Sequence, residues 1–133
     1  MLVVDASVAI KWLLEEDGSE RATGLFSRPP LVAPDLIFAE VSNALWRHVT
    51  LGNIAAGEVT SAVGGLRETL DAIYRIDPLS EDALNIAVAL GHPVYDCYYL
   101  ALARQLGMPL VTADQRLVRR VAGGEFERMV ELL

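Results

Sequence analysis

The sequence predicts an α/β fold in which a parallel sheet is covered by helices on both faces. Short apolar runs alternate along the chain with longer segments whose apolar residues recur at helical spacing. The first run, Leu2-Val3-Val4, is apolar without alternation, as expected of a strand buried on both faces. Strands that alternate with helices are typical of parallel sheets, because parallel neighbours need a crossover connection.

The predicted elements follow from apolar periodicity and from the residues that begin and end helices. The predicted strands are 2–5, 31–33, 73–76, 110–112 and, at the edge of the sheet, 129–132. The predicted helices are 7–14, 19–26, 35–51, 56–72, 80–90, 95–106 and 115–122. Ser19 and Ser80 are suited to cap their helices, and Gly52 and Gly107 stand where a left-handed residue often closes one. Gly64 and Gly65 weaken the fourth helix.

Size and composition predict one domain, residues 1–133. A chain of 133 residues that is 53% hydrophobic can bury a substantial core. No apolar run approaches the roughly 18 residues that cross a bilayer, and no signal-peptide pattern opens the chain. The one cysteine, Cys97, excludes an internal disulfide and a CxxC metal site. We therefore expect a cytoplasmic protein that does not enter membranes.

The net charge of −7 argues against a general nucleic-acid-binding protein, which is usually basic. This charge is compatible with an enzyme that meets a phosphate backbone through metal ions and a few local arginines. It also favours a basic protein partner.

Four acidic residues lie in apolar sequence, where a carboxylate is costly unless it is paired or binds a metal. These are Asp5, Glu40, Asp96 and Asp114. Asp5 and Asp114 follow predicted strands, and ligands of open α/β sheets bind beyond the carboxyl ends of strands. Asp96 falls in the first turn of a helix, where the helix dipole favours an anion. Considered singly, Asp5 and Asp114 are also compatible with capping the helix that follows. Glu40 alone is compatible with a solvated helix face, and Asp96 alone with an acid favoured only by the helix dipole.

The separations between these acids, 35, 56 and 18 residues, exclude a local metal-binding loop. The site is therefore expected to be assembled by the fold, and its oxygen ligands suit Mg²⁺ or Mn²⁺.

Each of the four acids lies in a short segment of distinctive sequence. The segments are Val3-Val4-Asp5-Ala6-Ser7, Ala39-Glu40-Val41-Ser42-Asn43-Ala44-Leu45, Tyr95-Asp96-Cys97-Tyr98-Tyr99-Leu100-Ala101-Leu102-Ala103 and Leu110-Val111-Thr112-Ala113-Asp114. Together they resemble the motifs of PIN-domain proteins, and most closely those of the VapC-type ribonuclease toxins of bacteria and archaea. They occur in the family's order and span nearly the whole chain. The resemblance implies an α/β/α sandwich, bound Mg²⁺ or Mn²⁺, and hydrolysis of RNA phosphodiester bonds. It also implies a cognate antitoxin protein and a homodimer.

Carried over by position, the resemblance makes Asp5, Glu40, Asp96 and Asp114 the catalytic, metal-binding acids. It makes Ser7, Asn43 and Thr112 polar residues that support them. The chain departs from many relatives after the last motif, where Gln115-Arg116-Leu117 replaces a further acid or amide, and the number of metals stays open. Separately from the resemblance, Arg47, Arg116, Arg119 and Arg120 are candidate contacts to RNA phosphates.

Other protein classes fit the residues less well. A phosphorylated receiver needs a lysine near the late strands, but the only lysine is Lys11. A haloacid-dehalogenase-like phosphatase needs a second aspartate where Ser7 stands, and no glycine pattern matches a nucleotide-binding loop. A PIN-like domain that only binds RNA, or a nuclease that is not a toxin, remains open.

Several remaining polar and aromatic residues are expected to be structural. His48 and His92 are predicted at the surface and Cys97 in the core. The aromatic residues Trp12, Trp46, Tyr98 and Tyr99 are predicted to serve packing or interfaces.

Overall fold

The structure is a computed structural model that describes residues 1–133. Its strands are β1 (Leu2–Val4), β2 (Leu31–Pro34), β3 (Ala72–Tyr74), β4 (Leu110–Thr112) and β5 (Val130–Leu132). Its helices are α1 (Ala6–Leu13), α2 (Ser19–Gly24), α3 (Leu36–Thr50), α4 (Ala56–Thr69), α5 (Ser80–Leu90), α6 (Val94–Leu106) and α7 (Gln115–Val121). Short 3₁₀ turns occupy Leu25–Ser27, Asp77–Leu79 and Glu127–Met129.

All five strands form one parallel sheet in the order β3-β2-β1-β4-β5, which confirms the predicted α/β fold. The central strand is β1, where Val3 pairs with Val32 of β2 on one side and Leu110 of β4 on the other. All three residues of β1 are fully buried, as their continuous apolar character predicts.

The order of the strands reverses at β1. The chain runs outward from β1 through β2 to β3, and then returns to place β4 on the other side of β1. Because crossovers between parallel strands are right-handed, α1 to α4 lie on one face of the sheet and α5 to α7 on the other. The connections that leave the carboxyl ends of β1 and β4 therefore diverge, and this leaves a crevice where ligands of such folds bind.

Helix α6 is the most deeply buried helix and lies against β1, β2 and β4. Its residues from Tyr99 to Ala103 are at most 1% exposed, and Cys97 is fully buried, as predicted. Gly107, with φ of 64°, ends the helix in the left-handed conformation. The buried face fixes where the first turn of α6, which carries Asp96, meets the sheet.

Two predicted helix caps are wrong. Gly18 precedes α2, while the Ser19 hydroxyl donates to the Leu14 carbonyl and accepts from the Glu16 amide, each at 3.0 Å. The 3₁₀ turn Asp77–Leu79 runs directly into α5 at Ser80, so Ser80 does not stand at a free helix start. Its hydroxyl donates to the Ile76 carbonyl at 3.1 Å. Both serines bond to carbonyls before them, which a cap at a free helix start does not do.

Helix α4 ends at Thr69, three residues before its predicted end, and β3 is displaced toward the amino terminus accordingly. The cause is Asp71, whose backbone amide donates to the Leu31 carbonyl at 2.9 Å and whose carboxylate accepts from the Leu31 amide at 2.7 Å. These contacts tie the chain to β2 before another helical turn forms.

No helix is both long enough and apolar enough to cross a membrane.

Candidate active site

The four predicted acids meet at one pocket beside the reversal of strand order. The pocket has a volume of about 350 Å³. It is lined by Asp5, Ala6, Ser7, Ile10, Glu40, Asn43, Ala44, Arg47, Asp96, Tyr99, Asp114 and Arg116. Residues separated by more than a hundred positions in the sequence thus share one crevice at the carboxyl ends of β1 and β4. We refer to it as the acidic pocket.

Asp5 directly follows β1 and is the most buried of the four acids, at 5% exposure. Its carboxylate accepts hydrogen bonds from the hydroxyls of Ser7 and Thr112, each at 2.5 Å, and from the Val8 amide at 3.3 Å. It therefore caps α1 as well as facing the pocket. Burial, reinforced by the negative charge of Asp96, raises its pKa to about 6 because the three hydrogen bonds only partly offset desolvation.

The hydroxyls of Ser7 and Thr112 are themselves held in place by the backbone after β4. The Ala113 amide donates to Ser7 Oγ at 2.8 Å, and the Asp114 amide donates to Thr112 Oγ1 at 3.0 Å. Each hydroxyl accepts from an amide and gives its single proton to Asp5. This network ties the end of β1 to the end of β4 and places Ser7 and Thr112 in hydrogen-bond contact with Asp5.

Glu40 lies in the second turn of α3 and is held by a buried phenol. The Tyr99 hydroxyl donates to Glu40 Oε1 at 2.7 Å, and Tyr99 is only 1% exposed. Burial and the neighbouring Glu40 charge raise the pKa of Tyr99 well above its usual value, so the phenol keeps its proton and remains a donor. Burial also raises the pKa of Glu40, with a further contribution from Asp96.

Asp96 is held by His92, which stands four residues earlier in the turn before α6. His92 Nε2 donates to Asp96 Oδ2 at 2.6 Å, since an ionised carboxylate can only accept. The His92 side chain is 11% exposed and that of Asp96 is 26% exposed. The prediction that His92 is a surface residue is therefore wrong: the ring is packed into the rim of the site, where it restrains an acid.

Asp114 caps α7, accepting from the Arg116 amide at 2.9 Å, and its side chain is 27% exposed. The Arg116 guanidinium lies 3.7 Å from the same carboxylate. This contact is the only one within 4 Å between a guanidinium or lysine amine and any of the four acids. Lys11 is bound to Glu16 and to the Asp17 carbonyl outside the pocket.

The protein donors leave one oxygen of each of three acids unused. Glu40 Oε2, Asp96 Oδ1 and Asp114 Oδ2 accept no hydrogen bond, and none is buried out of reach of solvent. As the side chains stand, no group of three or more acids, histidines or cysteines is arranged to hold a metal ion. The pocket thus presents excess negative charge and free oxygens without a closed ligand cage.

The remaining predicted residues divide between two neighbouring cavities. Asn43, Arg47 and Arg116 line the acidic pocket, although Asn43 is exposed and its side chain bonds to none of the acids. Arg119 and Arg120 lie outside that pocket and line an adjoining cleft of about 510 Å³.

Two residues of the site, Tyr99 and His92, were not predicted to belong to it. Tyr99 was assigned to packing, which its burial confirms, but its hydroxyl also reaches Glu40. A usable signal existed, because residues three apart on a helix share a face and Tyr99 follows Asp96 by three. His92 precedes Asp96 by four, but it lies before the first residue of α6, where helical spacing gives no guidance.

Comparison with known proteins agrees with this geometry. The family model of the PIN domain matches residues 2–124. The chain therefore belongs to the PIN-domain family.

Individual relatives extend the likeness over most of the chain. Ribonuclease VapC3 of Pyrobaculum aerophilum is 34% identical over 122 residues, which cover 90% of this chain and 93% of that protein. The crystal structure of PAE2754 from the same organism superposes with a TM-score of 0.73 at 24% identity, covering 92% and 86% of the two chains. The Mycobacterium tuberculosis toxin VapC20, which cleaves the sarcin–ricin loop, superposes with a TM-score of 0.70 at 17% identity, covering 93% and 96%.

The raised pKa of Asp5 predicts a specific pH dependence of stability in the metal-free protein. The unfolded chain loses this proton near pH 3.8 and the folded chain near pH 6, so the folded state binds more protons between them. Stability from this group is therefore full below pH 3.8 and falls as pH rises to about 6, by on the order of 3 kcal/mol. In Asp5→Asn the free energy of unfolding should therefore decrease much less between pH 4 and 6. This is measured by urea unfolding at a series of pH values from 4 to 8.

The matched control is Asp17→Asn, because Asp17 is exposed and its carboxylate makes no contact in the site. It should keep the wild-type profile. An unchanged slope between pH 4 and 6 in Asp5→Asn would contradict the assigned burial cost.

Proposed function

We propose that this protein is a metal-dependent endoribonuclease and the toxin of a VapBC-type toxin–antitoxin pair. The observation that carries the proposal is the acidic pocket, in which Asp5 and Glu40 are withdrawn from water without a basic partner. Family membership and the ribonuclease relative at 34% identity support it. Residues 1–133 are proposed to act as one domain, and the cytoplasmic location stays a prediction.

A divalent cation fits the donor set of the pocket. The donors are carboxylate oxygens, which Mg²⁺ and Mn²⁺ prefer, and the charge of Asp96 contributes to the raised pKa of both Asp5 and Glu40. Asp5 and Asp96 are proposed as direct ligands, with Glu40 and Asp114 binding directly or through water. When bound, the cation would polarise the phosphate and help a water molecule lose its proton.

The chain's own residues hold the acids in place for this chemistry. Ser7 and Thr112 fix both oxygens of Asp5, and Tyr99 fixes one oxygen of Glu40. Glu40 keeps its other oxygen free to bind the cation or to orient a water molecule. Outer hydrogen bonds of this kind commonly change metal affinity or activity by about 10- to 100-fold.

RNA contacts at the point of cleavage are proposed for Arg47 and Arg116, which line the acidic pocket. Both are exposed, so phosphate oxygens can reach their guanidinium groups from the solvent side, and that of Arg116 also lies 3.7 Å from the Asp114 carboxylate. Because the protein carries a net charge of −7, such local cations are needed to offset repulsion of the polyanion.

The first test of the proposal removes one anionic ligand at a time. Asp5→Asn and Asp96→Asn each keep the shape of the side chain, and each should lower Mn²⁺-dependent RNA cleavage by more than about 100-fold. Cleavage is measured on single-stranded RNA with and without EDTA, and circular dichroism checks the fold. Asp17→Asn is the control that should retain activity. Full activity of both site variants would refute the assignment, and RNA binding without cleavage in the wild type would favour an RNA-binding domain.

A second test concerns metal binding without turnover. Glu40→Gln removes one of the mutually repelling charges, so it should melt at a higher temperature than the wild type in EDTA. Its melting temperature should also rise less when Mn²⁺ is added, because the variant binds the cation more weakly. For scale, a ligand present at 100 times its Kd stabilises the native state by about 2.7 kcal/mol. Tyr99→Phe keeps the charge of Glu40 but removes the hydrogen bond that holds Glu40 Oε1 in place. This variant should show a smaller rise in melting temperature with Mn²⁺, because Glu40 is less well positioned. In EDTA its melting temperature should not exceed that of the wild type, because the repelling charge is still present. A lower melting point of Glu40→Gln in EDTA, with an undiminished Mn²⁺ shift, would make Glu40 structural.

The antitoxin is proposed to dock on an apolar groove between α3 and α4. The groove has a volume of about 310 Å³ and is lined by Ser42, Leu45, Trp46, Val49, Ala56, Val59, Thr60 and Val63. Trp46 is 61% exposed there. The other tryptophan of the chain, Trp12, is already used internally: its indole donates to the Ala22 carbonyl at 2.8 Å and its ring packs on Phe26.

From this groove a basic side chain of the partner is proposed to reach the acidic pocket, since Ser42 and Leu45 of the groove flank Asn43 and Ala44 of that pocket on α3. Apolar burial would supply most of the affinity and the cation would compete with metal. A homodimer is also proposed, and the exposed side chains of Leu84, Val88 and Tyr95 offer apolar surface for it.

Trp46→Ala should weaken the complex with the cognate partner by about 2 kcal/mol or more, as expected for an aromatic anchor in a groove. Leu51→Ala is the control, because Leu51 is 74% exposed at the end of α3 and lies outside the groove. Affinity is measured by titration calorimetry, and RNA cleavage is followed across a partner titration. A tight complex that leaves cleavage intact at saturation would refute the toxin–antitoxin role while leaving the nuclease assignment standing.

A further inference from the structure

A second cavity, which we call the arginine cleft, opens directly beside the acidic pocket. It has a volume of about 510 Å³ and is lined by His92, Pro93, Asp96, Asp114, Arg116, Arg119 and Arg120. Three of these residues, Asp96, Asp114 and Arg116, also line the acidic pocket. The two cavities therefore adjoin along these residues, and a polymer lying across the four acids can extend into the arginine cleft.

The arginines of the cleft lie on one face of α7. Positions 116, 119 and 120 are spaced by three and four, so their side chains project on the same side of the helix. The opposite side carries Leu117 and Val121, which are buried in the core. The packing of α7 thus holds the three guanidinium groups toward the cleft.

Arg119 and Arg120 have no acidic partner in the protein, although acids outnumber basic residues in this chain by 18 to 11. Several other surface arginines are paired, as Arg28 is with Glu131, Arg75 with Asp77 and Arg104 with Asp82. Arg116 stands three and four positions before Arg119 and Arg120 on α7, and like charges at these spacings destabilise a helix slightly. Exposed arginines elsewhere, such as Arg21 and Arg128, also lack an acidic partner. Arg119 and Arg120 differ from them because they stand together in a cleft beside the acidic pocket, where a ligand can supply the negative charge.

The lining of the cleft defines the chemistry of that ligand. No apolar side chain other than the Pro93 ring contributes to it, which disfavours an apolar peptide segment. Guanidinium groups bind phosphate through two parallel hydrogen bonds, and α7 presents a pair of them.

We propose that the arginine cleft binds a backbone phosphate of single-stranded RNA, the neighbour of the phosphate that lies over the four acids, through Arg119 and Arg120. This proposal rests on the proposed ribonuclease function and deepens it. The cleft fixes the direction in which the RNA strand leaves the acidic pocket. Because the contact is to the backbone, it positions the strand and does not read its sequence.

The first measurement is the salt dependence of RNA binding in EDTA, where no cleavage occurs. The test variant is the double substitution Arg119→Gln/Arg120→Gln. The control is Arg21→Gln/Arg128→Gln, which removes the same charge from two exposed arginines that have no acidic partner and lie outside the cleft. For single strands, the slope of log K against log salt changes by about 0.7 for each phosphate contact. Because both arginines are proposed to contact one phosphate, the test variant should lose about 0.7 from the slope, and the control should lose clearly less.

The second measurement locates the phosphate. Each phosphate of a short RNA is replaced in turn by an uncharged methylphosphonate, and binding to the wild type and to the test variant is compared. One position next to the cleaved bond should weaken wild-type binding and leave binding to the test variant unchanged, since contacting partners are non-additive. Equal slopes in test and control variants, or equal sensitivity to every methylphosphonate, would overturn the proposal. If the test variant keeps its affinity for RNA but no longer binds the proposed antitoxin, the proposal is also overturned, and the cleft is assigned to the antitoxin.

Because binding is read without metal or turnover, the outcome is separable from the proposed function. A wild type that binds RNA with this phosphate dependence but never cleaves it overturns the nuclease proposal and supports the subsite. If the wild type cleaves RNA, and the variant without both arginines cleaves normally with an unchanged salt slope, the nuclease proposal stands and the subsite is overturned.

Discussion

The carboxylate of Asp5 is withdrawn from water at the end of the central strand, where hydrogen-bond donors surround it but no lysine or arginine side chain pairs with it. The arrangement around the site depends on how this charge is accommodated. Its two oxygens accept the protons of Ser7 and Thr112, and those hydroxyls accept amides from the loop after β4. One buried acid thereby joins β1, α1, β4 and the start of α7. The residual cost of burial, expressed in its raised pKa, is what a bound cation would relieve.

The strand order explains why acids from four parts of the sequence gather around Asp5. The sheet reverses direction at β1, so the loops after β1 and β4 open away from each other and leave a crevice. The helices α3 and α6 bring Glu40 and Asp96 to that crevice, and the core locks both. Tyr99 shows the coupling most directly, since its ring fills the core of α6 while its hydroxyl restrains an acid on α3. The position of Glu40 therefore depends directly on a residue of the core.

Much of this fold is predictable from the sequence, because apolar strands without alternation and helices with strong periodicity report burial directly. The four acids are also predictable, since a charge in apolar sequence at a strand end demands a partner. Ser19 and Ser80 were misassigned as helix caps because a serine before an apolar run looks alike whether its hydroxyl meets an amide or a carbonyl. The role of His92 could not be predicted, because it depends on how the turn before α6 folds back over Asp96. The contact between Tyr99 and Glu40 joins residues 59 positions apart, and only the packed structure brings them together.

The central claim is that the acidic pocket is the metal-binding centre of this protein. Anomalous diffraction from crystals soaked in Mn²⁺ at pH 7.5 tests it most directly, because this pH lies above the raised pKa of Asp5, about 6, and manganese is located without reference to activity. The account predicts an anomalous peak in the pocket within coordination distance of Asp5 and Asp96. Well-occupied manganese elsewhere on the protein, with no peak among the four acids, would contradict it.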